Sequence, residues 1–153
     1  MTLLFVDDQV DYRLMMRAIL IAEGMEVLLA ANGEEALEKL KLSKVDMIIS
    51  DIYMPVMDGF KLYQAVRRTP GLEKLPFLFV SAFDDPHTKE AVRDPRYDGF
   101  MRKASPVPDL LEWIKYLTTP EQVRPHIVPG SNRLTTQMRT RDGMRTSTRT
   151  FTL

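Results

Sequence analysis

The chain has no cysteine among its 153 residues, which excludes disulfides, thiolate nucleophiles and thiolate metal sites and suits a reducing compartment. Its two histidines, His87 and His126, stand alone and read as surface residues. No apolar run approaches the roughly 20 residues of a membrane span. The first six residues meet Asp7-Asp8 too soon to form a signal peptide. Formal net charge is zero, but that sum conceals an asymmetry along the chain. These absences together leave a cytoplasmic protein with no membrane association as the expectation.

What is present is ordinary in amount and uneven in placement. Hydrophobic content of 44% and charged content of 27% suit one globular domain with a full core and a short appendage. Residues 1–118 hold 15 Lys and Arg against 19 Asp and Glu, a balance of −4, whereas residues 119–153 hold 6 against 2, a balance of +4. The sequence Thr118-Thr119-Pro120 therefore divides an acidic domain, 1–118, from a basic tail, 119–153.

Within the domain, apolar runs too short for helices alternate with segments of helical periodicity. Strands are expected at 2–6, 25–30, 47–50, 77–80 and 99–102. Helices are expected at 10–23, where Val10, Leu14, Ala18 and Ile21 recur at helical spacing, and at 34–42, with Ala36, Leu37 and Leu40 inward. A third is expected at 60–68, with Leu62 and Val66 inward. Pro95 limits residues 86–93 to a brief helix, and a last helix starts at Pro106, or at Asp109 as its N-cap. The last helix presents Leu110, Leu111, Trp113, Ile114 and Leu117. Strand–helix alternation predicts an α/β fold: a doubly wound, five-stranded parallel sheet in a flavodoxin-like three-layer sandwich, with a C-terminal extension.

In such sheets ligands sit beyond the carboxyl ends of the strands. The residues expected there are Asp7, Asp8, Asp51, Ser81 and Lys103. A single strand-end aspartate is most often a solvated one, and Asp8 or Asp7 also suits the cap of the first helix. Three carboxylates in one crevice, however, repel one another unless a cation lies among them. Mg²⁺, a hard ion that combines one or two carboxylates with phosphate oxygens, meets that need. Lys103 adds a point charge for an anion, Asp51 can form an acyl phosphate, and Ser81 can donate to a phosphoryl oxygen.

Four elements in order, Asp7-Asp8, Asp51-Ile52-Tyr53-Met54-Pro55-Val56-Met57-Asp58-Gly59, Ser81-Ala82 and Gly99-Phe100-Met101-Arg102-Lys103, resemble the receiver domain of two-component response regulators, most simply the chemotaxis regulators. The resemblance covers residues 2 to about 118. It implies a phosphorylation-controlled signalling switch, not an enzyme with a diffusible substrate, that assists only its own phosphoryl transfer and dephosphorylation. Asp51 would take the phosphoryl group from a sensor histidine kinase or phosphotransfer protein. Asp7, Asp8, Asp51 and the backbone carbonyl of Tyr53 would hold Mg²⁺. Ser81 and Lys103 would bind phosphoryl oxygens, and Phe100 would stand in the place of the aromatic switch residue or serve as core alone. The output would be a changed surface for a downstream protein target. That surface, formed by the brief helix, the fifth strand and the last helix, or the tail, would also serve a homodimer.

Two departures from the family pattern matter. Lys103 is followed by Ala104 where the family usually has a proline, commonly with a cis bond, and a cis Lys103-Ala104 bond would cost about 2.5–4 kcal/mol. Tyr53 and Phe83, each two residues past a site residue, flank the path of hydrolytic water in the family, and two bulky rings there suggest a long-lived phosphorylated form. The tail remains open to several readings: a flexible extension, a β-hairpin across Arg141-Asp142-Gly143, a basic arm that makes the chain a nucleic-acid-associated regulator, or the start of a longer output region.

Overall fold

The computed structural model describes residues 1–83, 87 and 90–130. Five strands, β1 (Thr2–Val6), β2 (Glu26–Ala30), β3 (Met47–Ser50), β4 (Phe77–Ser81) and β5 (Asp98–Arg102), form one parallel sheet in the order β2-β1-β3-β4-β5. The described helices are α1 (Val10–Ala22), α2 (Gly33–Leu42), α3 (Gly59–Arg68) and α4 (Val107–Thr118), followed by a 3₁₀ turn at Glu121–Val123. The three-layer architecture expected from the alternation is the one observed.

Period-two side chains on buried strands build two separate cores. Leu4, Val6, Ile48, Phe77 and Phe79 face α2 and α3, packing with Ala36, Leu62, Tyr63 and Val66. Leu3, Phe5, Met47, Ile49, Leu78, Val80 and Met101 face α1 and α4, packing with Met16, Leu20, Leu110, Trp113, Ile114 and Leu117. In α2, Asn32 caps the helix by accepting from Glu35 N–H at 3.0 Å. In α3, Asp58 does the same for Lys61 N–H at 2.8 Å. Both obey the preference for short polar side chains at the cap.

Three sequence expectations are corrected. The stripe Val10, Leu14, Ala18 and Ile21 of α1 faces solvent, and Met16 and Leu20 are the buried residues instead. The helix carries two stripes of helical spacing, and the one containing Tyr12, Met16 and Leu20 meets the sheet. Asp109 is not the cap of α4; Pro106 occupies that position with extended backbone. The cap position of α1 is Gln9, without a side-chain cap bond; Asp7 Oδ1 accepts from Gln9 N–H at 2.9 Å, and Asp8 is not the cap. Of the expected brief helix at 86–93, residues 86, 88 and 89 lie outside the described residues and 90–93 are turn and bend, not helix, as the approach to Pro95 demands; the expected hairpin at 135–152 lies outside the described residues altogether.

Two polar clusters tie the ends of the strands together. Asp98 opens β5 fully buried, accepting from Tyr63 Oη at 2.6 Å, Arg67 Nη2 at 2.5 Å, and Asp94 N–H at 2.9 Å. Arg67 also donates to Leu75 O at 2.8 Å and lies over the Tyr63 ring at 4.8 Å. Past α4, Arg124 donates to Arg96 O at 2.6 Å and to Thr119 O at 3.0 Å, with its guanidinium 4.8 Å from the Tyr116 ring centroid. One side chain thus covers carbonyls at the C-terminus of α4, where backbone acceptors have no helical partner.

Candidate functional site

The strand order turns back between β1 and β3: the chain moves outward to β2 on one side and to β4 and β5 on the other. At that switch point the loops diverge and leave a crevice above the carboxyl ends of the strands. β1 delivers Asp7, β3 delivers Asp51, β4 delivers Ser81 and β5 leads into Lys103. All five expected strand-end residues belong to this edge of the sheet.

The geometry is close. Lys103 Nζ is 2.6 Å from Asp7 Oδ2 and 3.2 Å from Asp51 Oδ2, so one ammonium spans two carboxylates from different strands. Asp7 and Asp51 are buried and Asp8 is exposed, yet all three offer carboxylate oxygens within 4.8 Å of one another. Backbone amides fix the inner oxygens: Ile52 N–H donates to Asp51 Oδ1 at 2.8 Å, as Gln9 N–H does to Asp7 Oδ1. Arg13 Nη1 donates to Asp7 O at 2.5 Å and holds the loop from α1.

Burial pushes the Asp51 carboxyl above the usual carboxylate range; the Lys103 charge acts the other way, and the Asp7 charge adds to the rise. Burial alone would depress the Lys103 ammonium, but the hydrogen bond to Asp7 and the charges of Asp51 and Asp7 raise it above the ordinary lysine value. The site therefore holds a lysine that keeps its proton and an aspartate whose negative charge is costly to bury. All-oxygen donors at this spacing fit a small hard divalent cation, and Mg²⁺ suits the donor chemistry.

The other expected residues fall in different places. Ser81 is fully buried; its carbonyl accepts from Lys103 N–H at 2.9 Å, and its Oγ accepts from Phe83 N–H at 3.2 Å. Tyr53 and Phe83 are both exposed and meet edge to face, ring centroids 5.4 Å apart. Phe100 pairs with Phe79 in the sheet and is half-buried against the core beneath α2 and α3, the face opposite that of Met101. The Lys103-Ala104 bond is trans, as none of the described peptide bonds is cis.

Sequence reasoning missed three contributors. The Tyr12 ring lies under the Lys103 ammonium, 4.7 Å from centroid to Nζ. Gly59 sits so close to the end of β3 that a Cβ there would overlap the carbonyl oxygen of Asp51. Val56 adopts a φ of 71°, in the left-handed region where β-branched residues are rare. The Asp58-Gly59 turn signal was visible, but the close approach to Asp51 was not. Tyr12 had a weaker signal, an aromatic in the first turn after the paired acids.

The family model for the response regulator receiver domain matches residues 3–115. An uncharacterised 14.6 kDa protein of Leptolyngbya boryana is 36% identical over 115 residues, covering 75% of this chain and 86% of that one. A gliding motility regulatory protein of Myxococcus xanthus is 33% identical over 100 residues, but the chain spans only 13% of its length. Among solved structures, the chemotaxis protein CheY4 of Vibrio cholerae superposes with a TM-score of 0.70 at 34% identity, covering 76% of this chain and 97% of that one. The response regulator TrrA of Thermotoga maritima, solved with Mg²⁺ and BeF, gives 0.67 at 28% identity over the same 76% and 97%.

Proposed function

The chain belongs to the response regulator receiver domain family, and on that premise we propose that Asp51 is the phosphoacceptor of its phosphorylation-controlled switch. The observation that carries this reading is the Lys103 ammonium shared between Asp7 and Asp51 beside three carboxylates with mutually close oxygens. Asp51 supplies the attacking oxygen to a phosphohistidine of a sensor kinase or phosphotransfer protein. As its bond to phosphorus forms, the phosphorus–nitrogen bond breaks, and the imidazole nitrogen keeps the electron pair and takes a proton. Lys103 neutralises charge on the transferred oxygens, and Ser81, whose Oγ is already turned by Phe83 N–H, donates to one of them. Asp7, Asp8, Asp51 and the Tyr53 carbonyl are the ligands we assign to Mg²⁺, which when bound offsets the charge of the carboxylate cluster and of the phosphoryl group.

The chain is a switch that assists its own phosphorylation and dephosphorylation. Phe100 is the residue we assign to the aromatic switch role, coupling Ser81 to a surface read by a downstream protein. Residues 1–118 form the receiver unit in this reading and 119–153 its tail. The edge-to-face pair of Tyr53 and Phe83 supports a screened phosphoryl group: Phe83→Ala is expected to shorten the acyl phosphate lifetime several-fold, and an unchanged lifetime rejects the screening.

The main test is titration with Mg²⁺ and beryllofluoride, followed by amide NMR. Saturable shifts at Ser81, Phe100 and Lys103 are expected in the wild type and none in Asp51→Asn. The same shifts in both proteins would remove Asp51 from the role.

A further inference from the structure

A lysine that must aim its charge at a transferred group needs a support that survives the transfer. The backbone of Lys103 is held by Ser81 O, but that bond fixes where the side chain begins, not where it ends. The two carboxylates that hold Nζ at 2.6 and 3.2 Å are the same groups that take up metal and phosphate under the reading above. A recess of about 270 Å³ opens beside the lysine stem, walled by Tyr12 and Phe5 together with Met15, Met16, Met101 and Leu110, so the stem is not tightly packed by apolar neighbours. Among the described residues, the further contact on the ammonium is the face of Tyr12, 4.7 Å from Nζ. That ring is fixed in turn by Phe5 beneath it, centroids 5.9 Å apart at 50°.

We propose that Tyr12 is a positioning residue, a ring-face platform on which the Lys103 ammonium rests while it passes from the free carboxylates to the phosphoryl oxygens. The ring quadrupole attracts a cation without accepting a proton and with little directional demand. The ammonium can therefore slide across the ring without losing the contact, as a second carboxylate partner would not allow. The inference rests on the proposed roles of Asp51 and Lys103 and concerns how the lysine is aimed.

The test replaces Tyr12 in the 153-residue chain with phenylalanine and then with mono-, di- and trifluorinated phenylalanines. These have nearly the same shape but progressively weaker ring faces. Tyr12→Phe is expected to bind beryllofluoride, at saturating Mg²⁺, within about twofold of wild type, and the trifluorinated ring about three- to tenfold more weakly, in steps that follow fluorine count. Mg²⁺ affinity alone and the urea midpoint stay constant along the series. In the metal-free protein the Lys103 ε-protons carry an upfield ring-current shift that Tyr12→Leu abolishes. A flat beryllofluoride series, a Mg²⁺ affinity that falls in parallel, or an unshifted Lys103 in the wild type overturns the platform. Failure of the wild type to bind beryllofluoride at all, or binding retained by Asp51→Asn, overturns the phosphoacceptor reading itself and the platform with it.

Discussion

Replacing Asp98 with asparagine tests how the strand that leads to Lys103 is anchored. The Asp98 side chain is 0% exposed and Arg67 is 16% exposed. One carboxylate oxygen takes Arg67 and the other takes Tyr63 Oη together with the amides of Arg93 and Asp94. Asparagine has one acceptor oxygen, so either the guanidinium or the set of hydroxyl and amides must face an NH₂ group. Breaking a buried ion pair on one side costs about 3–5 kcal/mol. Arg67 keeps its bonds to Leu72 and Leu75 carbonyls, which places the expected loss at the lower end, about 3 kcal/mol. That is a large part of the roughly 5–15 kcal/mol that holds a domain folded. Urea unfolding followed by far-UV circular dichroism should show the midpoint fall by about 1–3 M at an unchanged slope. Pairing Asp98→Leu with Arg67→Met should lose less than the two single changes together, because no charge is then left buried alone. Beryllofluoride affinity of the folded Asp98→Asn protein should stay near that of wild type, since Asp7, Ser81 and Tyr12 hold Lys103 from the other end of β5. A loss below about 1 kcal/mol, or additive single and double variants, would refute the buried-pair argument.

Other consequences are open to direct measurement. Burial and the hydrogen bond to Asp98 raise Tyr63 to about 12 from its ordinary value of 10.0, so the native state favours the neutral phenol. That contribution is complete below about pH 10 and is lost as pH rises toward 12; ultraviolet titration should show Tyr63 ionising as the fold is lost, and Tyr63→Phe should flatten this part of the alkaline transition. Val56→Gly should stabilise the domain by about 0.5–1 kcal/mol, since relief of about 1–2 kcal/mol of left-handed strain exceeds the entropic cost of glycine; a lower melting temperature would count against the strain. Gly59→Ala should cost about 1–3 kcal/mol and weaken beryllofluoride binding, because its Cβ displaces the Asp51 carbonyl; unaltered unfolding and binding curves would show the loop yields freely.

How much was legible beforehand depended on whether a residue's role was local. The strand-end acids, the Lys103 position and the Asp58-Gly59 turn could be read because an apolar run that stops on a charged residue marks the edge of a sheet. Helix α1 was misread because Val10, Leu14 and Ile21 fall at helical spacing as well as Tyr12, Met16 and Leu20 do. Periodicity shows that a helix has an apolar stripe, but it does not say which of two stripes meets the sheet. Asp98 and Arg67 gave no warning either, being separated by 31 residues that close into contact only after α3 packs on β4 and β5.

The sequence by itself determined the alternation of elements, and hence a parallel sheet, and the placement of acids, hydroxyl and lysine where strands end, because both follow from chain geometry over a few residues. Only the tertiary structure decided that one ammonium spans Asp7 and Asp51, that a tyrosine from α1 lies beneath it, and that the Lys103-Ala104 bond is trans. Those are distances between side chains from separate strands and helices. They are set by how the layers pack, which no local pattern along the chain encodes.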